Sequence, residues 1–490
     1  MNPASASPSA TERDLLGALH PPALGLAVLL SVAFGLAAMK TPLTIPLIWG
    51  VVGVGCLVAV LSPTLGFVLC VFLFGFRNDA FSLAGINPAD PLFAVLTASW
   101  LSHALMRNRL RWHWTFIPLG LYLLASLLSG LKAILVPTFL LDVIRFVQLL
   151  LILVLGVQVM TTRREINLAV KAFLASGLVL AVCSCLGALD YFVLHGKGAP
   201  FVDEGGRFAF KSICVDPLRV SSFLSFPLFM VAAMQQMGRT RYERWVAAGL
   251  FWLGIAACVL SLSRSAVLQV IPGLLVLWWL TRHHLGKLLF VGGGVAAVLL
   301  AIAFMPMDSE FARANRLDRW AVAGKLAEGH SEPRVALWDA SFQAFKSSPW
   351  IGVGMDNFPE RYLEFRNPWL TYGWIYWSPK RPSHSAYIAQ LAETGIVGTA
   401  AFLGLLAAFV VLGRRVVRQA RADGDRGRYL LGAACLASFV GQMVAGIGLE
   451  LFAHNHVWVI MVFMAVLDRW GEAQLAREPE PVPLPVAPAT

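Results

Sequence analysis

The sequence predicts an all-α polytopic membrane protein, with about 12–14 transmembrane helices and one large extracytoplasmic loop containing short helices. Three observations carry this. The chain is 58% hydrophobic and only 14% charged over 490 residues, against the ~25% charged of an average soluble protein. Its mean hydropathy is +0.69. The apolar residues come in blocks, mostly 16–25 long and bounded by Arg, Pro or Gly, close to the ~20 residues a helix needs to cross a bilayer.

Fourteen blocks can be drawn, at about 22–39, 43–61, 64–76, 91–106, 115–131, 138–160, 166–194, 217–237, 245–262, 264–280, 287–305, 385–412, 429–449 and 454–468. The third is short enough to be re-entrant. Alternate loops carry the arginines: Arg107/Arg109/Arg111, Arg163/Arg164, Arg239/Arg241/Arg244, Arg282 with Lys287, and the run from Arg414 to Arg428. The bias of Lys and Arg toward cytoplasmic loops puts this set, and both termini, inside. The expected organisation is a cytoplasmic tail (1–21), a first bundle (22–305), the large outer loop (306–384), C-terminal spans (385–468) and a Pro-rich disordered tail (469–490). The first block reads as an uncleaved span, since another apolar block follows within four residues.

The outer loop holds ten Lys/Arg, nine Asp/Glu, six of the sixteen Trp and three of the eight Tyr. Segment 332–347 reads as an amphipathic helix with Val335, Trp338, Phe342 and Phe345 on its apolar face. The seven cysteines suggest no disulfide framework, because all but Cys214 lie within apolar blocks. No metal or redox site and no cofactor are expected.

Charges inside membrane blocks are costly and therefore informative. Asp142 and Arg145, three apart, are expected to pair, and Lys171 to snorkel to an interface. Glu393, two turns into its span, calls for an arginine partner. Glu450, His454 and His456 surround a very short outer loop, with the histidines read as interfacial. Arg219 opens a span just after Asp216-Pro217, and Arg264 sits at an outer turn, Ser261-Leu262-Ser263-Arg264-Ser265. A guanidinium there either anchors to lipid headgroups or grips phosphate through two parallel hydrogen bonds. Arg334 stands in Pro333-Arg334-Val335-Ala336-Leu337-Trp338. His384 stands in Pro382-Ser383-His384-Ser385-Ala386-Tyr387, where the outer loop meets the bilayer.

In this order the Ser-Arg-Ser-Ala turn at 263–266, Arg334 with Leu337-Trp338, the run Pro349-Trp350-Ile351-Gly352-Val353-Gly354-Met355-Asp356-Asn357-Phe358, and His384-Ser385-Ala386-Tyr387 leading to Glu393-Thr394-Gly395 resemble the O-antigen ligase and polymerase superfamily. Two departures stand out: Ser385 where the family has Asn, and Ser265 where it has Gly. The resemblance implies a multi-pass protein of the bacterial inner membrane. It would transfer a glycan from an undecaprenyl diphosphate carrier, at the periplasmic face, to a glycan or lipid A-core acceptor. It assigns the diphosphate to Arg264 and Arg334, with Arg219 a weaker addition, and the acceptor hydroxyl to His384. Trp338, Trp374, Tyr376 and Tyr387 are candidates for stacking on sugar.

Chemistry supports the assignment. A sugar diphosphate carries its own leaving group, arginines can stabilise the charge it develops, and His is suited to accept a hydroxyl proton. Direct displacement without a metal, inverting the anomeric carbon, follows as the expected mechanism. Ligase, polymerase and protein O-glycosylating relatives all stay open; length leans toward a polymerase, and no further domain is expected after the last span. The competing class is a transporter or channel for an anionic solute, with Arg219 and Arg264 along its path, although transporters usually bind near the midplane and these residues gather at the outer surface. Topology accounts for most of the net charge of +11, so no nucleic-acid partner is needed.

Overall fold

A computed structural model describes residues 28–29, 32, 44–76, 89–107, 110–192, 217–237, 240–260, 264–281, 333–368, 380–450 and 454–475. The regular structure there is helical: α1 Thr44–Leu61, α2 Pro63–Leu73, α3 Ala89–Arg107, α4 Phe116–Ser129, α5 Val136–Val159, α6 Arg163–Phe192, α7 Pro217–Met237, α8 Arg241–Leu260, α9 Arg264–Leu280, α10 Pro333–Ser347, α11 Phe358–Phe365, α12 Ala386–Ala422, α13 Arg426–Ala445 and α14 Asn455–Leu475. This is a multi-pass membrane protein. Four described helical segments are long and apolar enough to span a bilayer, at Val136–Val159, Arg163–Leu186, Ala386–Ala422 and Arg426–Ala445, and shorter apolar helices accompany them.

The sequence explains the helix ends. Ser62 caps α2, its side chain accepting the Leu65 N–H at 3.4 Å, with Pro63 opening the helix. A 3-10 turn, Phe74–Phe76, closes the short third block. Asp425 caps α13 by accepting the Arg428 N–H at 3.0 Å.

Helix α14 is the central post. Val457 to Leu467 are almost wholly buried, with Trp458 at 1% exposure, and α14 packs against α5, α12 and α13. In contrast α1 leaves Val54, Leu57 and Leu61 exposed, as a lipid-facing helix does. Helices α7, α9 and α13 form a second packed group, in which Gly441 of α13 lies so close to α9 that a β-carbon would stand 2.4 Å from the Gln269 carbonyl oxygen. Among the described residues no two cysteines form a disulfide.

The arginine-rich loops gather at one end of the bundle. Arg163 pairs with Asp425 at 3.7 Å and lies over the Trp470 ring, Arg415 pairs with Asp468 at 3.1 Å, and the fully buried Arg428 bonds Asp423 at 2.7 Å and Gln419 at 3.0 Å. Helices α10 and α11 lie toward the other end, where α12 begins.

Two expectations need correction. Helix α10 forms as predicted, but its buried face is Ala336, Leu337, Ala340, Ser341 and Ala344, while Val335 and Phe342 are exposed. Small side chains beside Leu337 let α10 approach α12 closely, and Val335 and Phe342 point away. His456 is not interfacial: it is buried, and its Nε2 lies 2.7 Å from Ser222 Oγ of α7.

Candidate functional site

The site is built around a break in α12. At Gly395 (φ 64°, ψ −163°) the helix is interrupted, in a region of backbone space open essentially to glycine alone. The run 349–358 fills the gap. Ile396 N donates to Pro349 O at 2.9 Å and Val397 N to Trp350 O at 3.1 Å, while Val353 N donates to Ala392 O and Gly354 N to Glu393 O, both at 3.0 Å. These bonds satisfy backbone groups that the break frees, as a non-helical segment in a membrane bundle requires. Contact is closest at Gly352 (φ 72°), where a β-carbon would sit 2.2 Å from the Glu393 carbonyl carbon.

The same strap ties α12 to the α4–α5 corner. Met355 N donates to Ser129 Oγ at 3.1 Å, and the fully buried Asn357 accepts the Leu135 N–H at 2.9 Å. The glycines of this motif signal a tight turn in the sequence; its partner in the broken helix could not be read there.

His384 sits where the strap region meets α12. Ser385, the residue that departs from the family's Asn, caps α12 by accepting the Ile388 N–H at 3.4 Å. Ala386 N donates to the carbonyls of Gly446 at 2.9 Å and Leu449 at 3.1 Å, pinning the start of α12 to the turn after α13. Glu450, in that turn, accepts the His384 backbone N–H and, at 3.4 Å, the Ser383 hydroxyl. Arg334 comes to the same turn, its Nη1 lying 3.0 Å from where a β-carbon on Gly448 would be. Arg334, His384 and Glu450 are thus collected around residues 446–450.

Among the described residues the non-glycines with positive φ are Asp356 (51°) and His384 (54°). Each is held in a conformation costing on the order of 1–3 kcal/mol, and both lie at this site.

A cavity of about 290 Å³ opens beside it. Asp142, Asp356, Glu393, Glu450, Gln390 and Trp458 are among its walls. Asp142 pairs with Arg145 at 2.8 Å, as expected. Glu393 does not find the arginine expected for it: it is buried, faces Asp356 and Glu450, and forms no ion pair among the described residues. Burial and a hydrogen bond that the protonated Asp356 donates to the Asp142 carboxylate push Asp356 up to about 8, Lys380 opposing them. Burial likewise raises Glu450, partly offset by the His384 N–H and the Ser383 hydroxyl.

The remaining sequence candidates divide. Arg219 and Arg264 are placed by their backbone, in the first turn of α7 and at the start of α9. A buried polar network joins those two helices to α13: Gln442 Nε2 donates to Ser222 O at 2.8 Å and Ser225 Oγ at 3.1 Å, Gln269 Nε2 reaches Ser222 O at 3.3 Å, and Ser225 Oγ lies 3.0 Å from Ser438 Oγ. Trp338 is half-buried on α10, its indole N–H without a partner among the described residues. Tyr387 donates its hydroxyl to Met443 O at 2.6 Å and packs near Phe402, so its phenol is committed to the bundle. Trp374 and Tyr376 lie outside the described residues.

Residues 249–403 match the O-antigen ligase family. The chain carries an O-antigen ligase domain. The match runs from within α8 through the strap and past the break in α12, enclosing Arg264, Arg334 and His384; Arg219, Gln442 and Glu450 fall outside it. No curated protein matches the chain. The ligase domain is that of a lipid-linked polysaccharide transferase, and the protein is an enzyme of that type.

Sequence reasoning missed the carboxyl-lined cavity and the Ser222–Gln442–Gln269 network. Glu393 and Glu450 gave a signal as charges in membrane blocks. Their grouping with Asp142 and Asp356 depends on the fold.

Proposed function

We propose that the protein transfers a glycan from undecaprenyl diphosphate to a hydroxyl acceptor at the periplasmic face of the bacterial inner membrane. The observation that carries this reading is the convergence of Arg334, His384 and Glu450 on the 446–450 turn, two of them within the ligase domain. Arg334 supplies a planar fork suited to a diphosphate. Arg264, and more weakly Arg219, would add to it from the starts of α9 and α7, which the Gln442 network holds to one helix.

In the proposed reaction the acceptor oxygen attacks the anomeric carbon as the bond to the diphosphate oxygen breaks. His384 takes the acceptor proton, and the departing undecaprenyl diphosphate keeps the bonding electron pair. A single displacement inverts the anomeric centre, and arginines rather than a metal ion meet the charge that develops. The strained backbone at His384, bonded through its N–H to Glu450, fits a residue whose position matters more than its comfort.

Deleting the gene and analysing carrier-linked glycan tests the reading. Single repeat units accumulating on the carrier indicate a polymerase, and finished chains accumulating there indicate a ligase. An unaltered carrier pool would contradict both.

A further inference from the structure

The cavity beside His384 has a chemistry opposite to that of a diphosphate site. Four carboxyl groups, Asp142, Asp356, Glu393 and Glu450, reach it against one arginine, Arg145, whose charge is already matched by Asp142. Two amides, Gln148 and Gln390, and aromatic groups are among the other walls; Tyr122 stands edge-on to Phe146 at 4.8 Å, and Phe146 to Trp458 at 6.2 Å. Carboxyl and amide groups that bond hydroxyls, set among aromatic faces, make a sugar-binding surface. At about 290 Å³ it lies at the small end of ligand sites, which run ~300–1,000 Å³.

Its position is as informative as its lining. The cavity lies where α12 is broken: Ala386, Ala389, Gln390 and Glu393 line it from the segment before Gly395. Interrupted helices in membrane proteins are tolerated where they are covered by protein or line a cavity, and buried ionisable groups in a bundle mark functional sites. The break is stabilised by a dedicated strap, and that strap delivers Asp356 to the wall in a left-handed conformation. The cavity also adjoins the proposed base, because Glu450 lines it while holding the His384 N–H. Arg334 meets the same turn at Gly448, so cationic and acidic groups approach His384 from one short segment.

We propose that this cavity is the acceptor subsite, taking a hydroxyl-rich sugar that is uncharged or bears an ammonium group and turning away phosphorylated or carboxylated ones. The inference rests on the transferase reading and names the acceptor class within it. A diphosphate would find no unmatched cation in this lining, which leaves the donor's carrier end to the arginines and the acceptor's terminal sugar to the carboxyl groups. Asp356, whose proton is donated to Asp142, retains acceptor capacity for a sugar hydroxyl.

The test is sugar binding to the full chain in lipid nanodiscs, read by tryptophan fluorescence at pH 7. The probes are triacetylchitotriose (uncharged), the chitosan trimer (cationic) and trigalacturonate (anionic). The first two should saturate and the third should give no response. Glu450→Gln should weaken the chitosan trimer on the order of tenfold, as for loss of a hydrogen bond to a charged group, and should affect triacetylchitotriose less. Ala389→Phe, which fills the cavity from α12, should abolish both, so the proposal does not hang on one variant's folding.

Farnesyl diphosphate should not displace the chitosan trimer; competitive displacement would assign the cavity to the donor and overturn the proposal. So would a response to trigalacturonate equal to that of the chitosan trimer, no response to any trimer, or saturable Mn²⁺ binding lost in Asp142→Asn, which would make the cluster a cation site. Because binding is read without turnover, the two readings separate. A chain that binds the trimers yet transfers no glycan keeps the cavity and loses the proposed function, and the reverse result does the opposite.

Discussion

Gly352 and Glu393 touch backbone to backbone: a β-carbon on the glycine would stand 2.2 Å from both the carbonyl carbon and the carbonyl oxygen of Glu393. No side chain can enter that space, so the strap and the broken helix fit together only with glycine at this position. The partner break at Gly395 is equally exclusive, its own β-carbon position lying 2.5 Å from Trp350 C and O.

Gly352→Ala and Gly395→Ala should therefore each lower stability by about 3 kcal/mol or more, combining strain at a glycine-only conformation with a backbone clash. Gly404→Ala, further along the same helix with nothing within 4 Å of the new methyl group, should be neutral or mildly stabilising. Thermal melting of the detergent-solubilised protein checks all three. Equal melting temperatures across the set would remove the strap from the account of α12.

Arg334 offers a way to separate function from stability. Gly448→Ala places a methyl group 3.0 Å from Nη1, and a flexible side chain can yield to it. Melting should hold within about 0.5 kcal/mol, while the donor KM rises because the guanidinium has been displaced. Arg334→Lys should lose more, since a point charge cannot make the two parallel bonds to a diphosphate. An unchanged donor KM in both variants would take Arg334 out of donor binding.

The raised Asp356 carboxyl predicts a pH dependence with a definite sign. Its protonated form is favoured in the folded chain, so its contribution is full below the ordinary value of 3.8 and is lost as pH rises through about 8. Asp356→Asn, permanently neutral, should flatten that decline, and its stability advantage over wild type should grow across this window. Parallel stability curves between pH 4 and pH 9 would contradict the assignment.

Arg264→Lys keeps the charge at the start of α9 and removes the fork. Turnover should fall at least tenfold, the loss of one charge-assisted hydrogen bond. Wild-type turnover would reduce Arg264 to a headgroup anchor.

How far the sequence carried these conclusions varies with the kind of interaction. Length and hydropathy are properties of single segments, and the described helices follow the apolar blocks closely, α5 and α13 among them. The pair Asp142–Arg145 was legible because it is local to one helix turn. The buried face of α10 was misread because larger apolar residues were favoured over Ala336, Ala340 and Ala344, whereas a close helix crossing selects for small ones. His456 joins Ser222 across 234 positions, and the four carboxyl groups of the cavity come from four separate regions of the chain. No spacing rule brings such groups together. The glycine run at 349–358 lay between these cases: its turn was visible, and the helix break that receives it was not.

Transfer itself is the central claim, and His384 is where it is most exposed to test. In proteoliposomes supplied with undecaprenyl diphosphate-linked glycan and acceptor, wild type should release undecaprenyl diphosphate and form a glycosidic bond of inverted configuration. His384→Ala should insert and melt normally yet lose at least a hundredfold in rate, as removal of a general base does. Undiminished product formation by His384→Ala, or a retained anomeric configuration in the wild-type product, would contradict the mechanism.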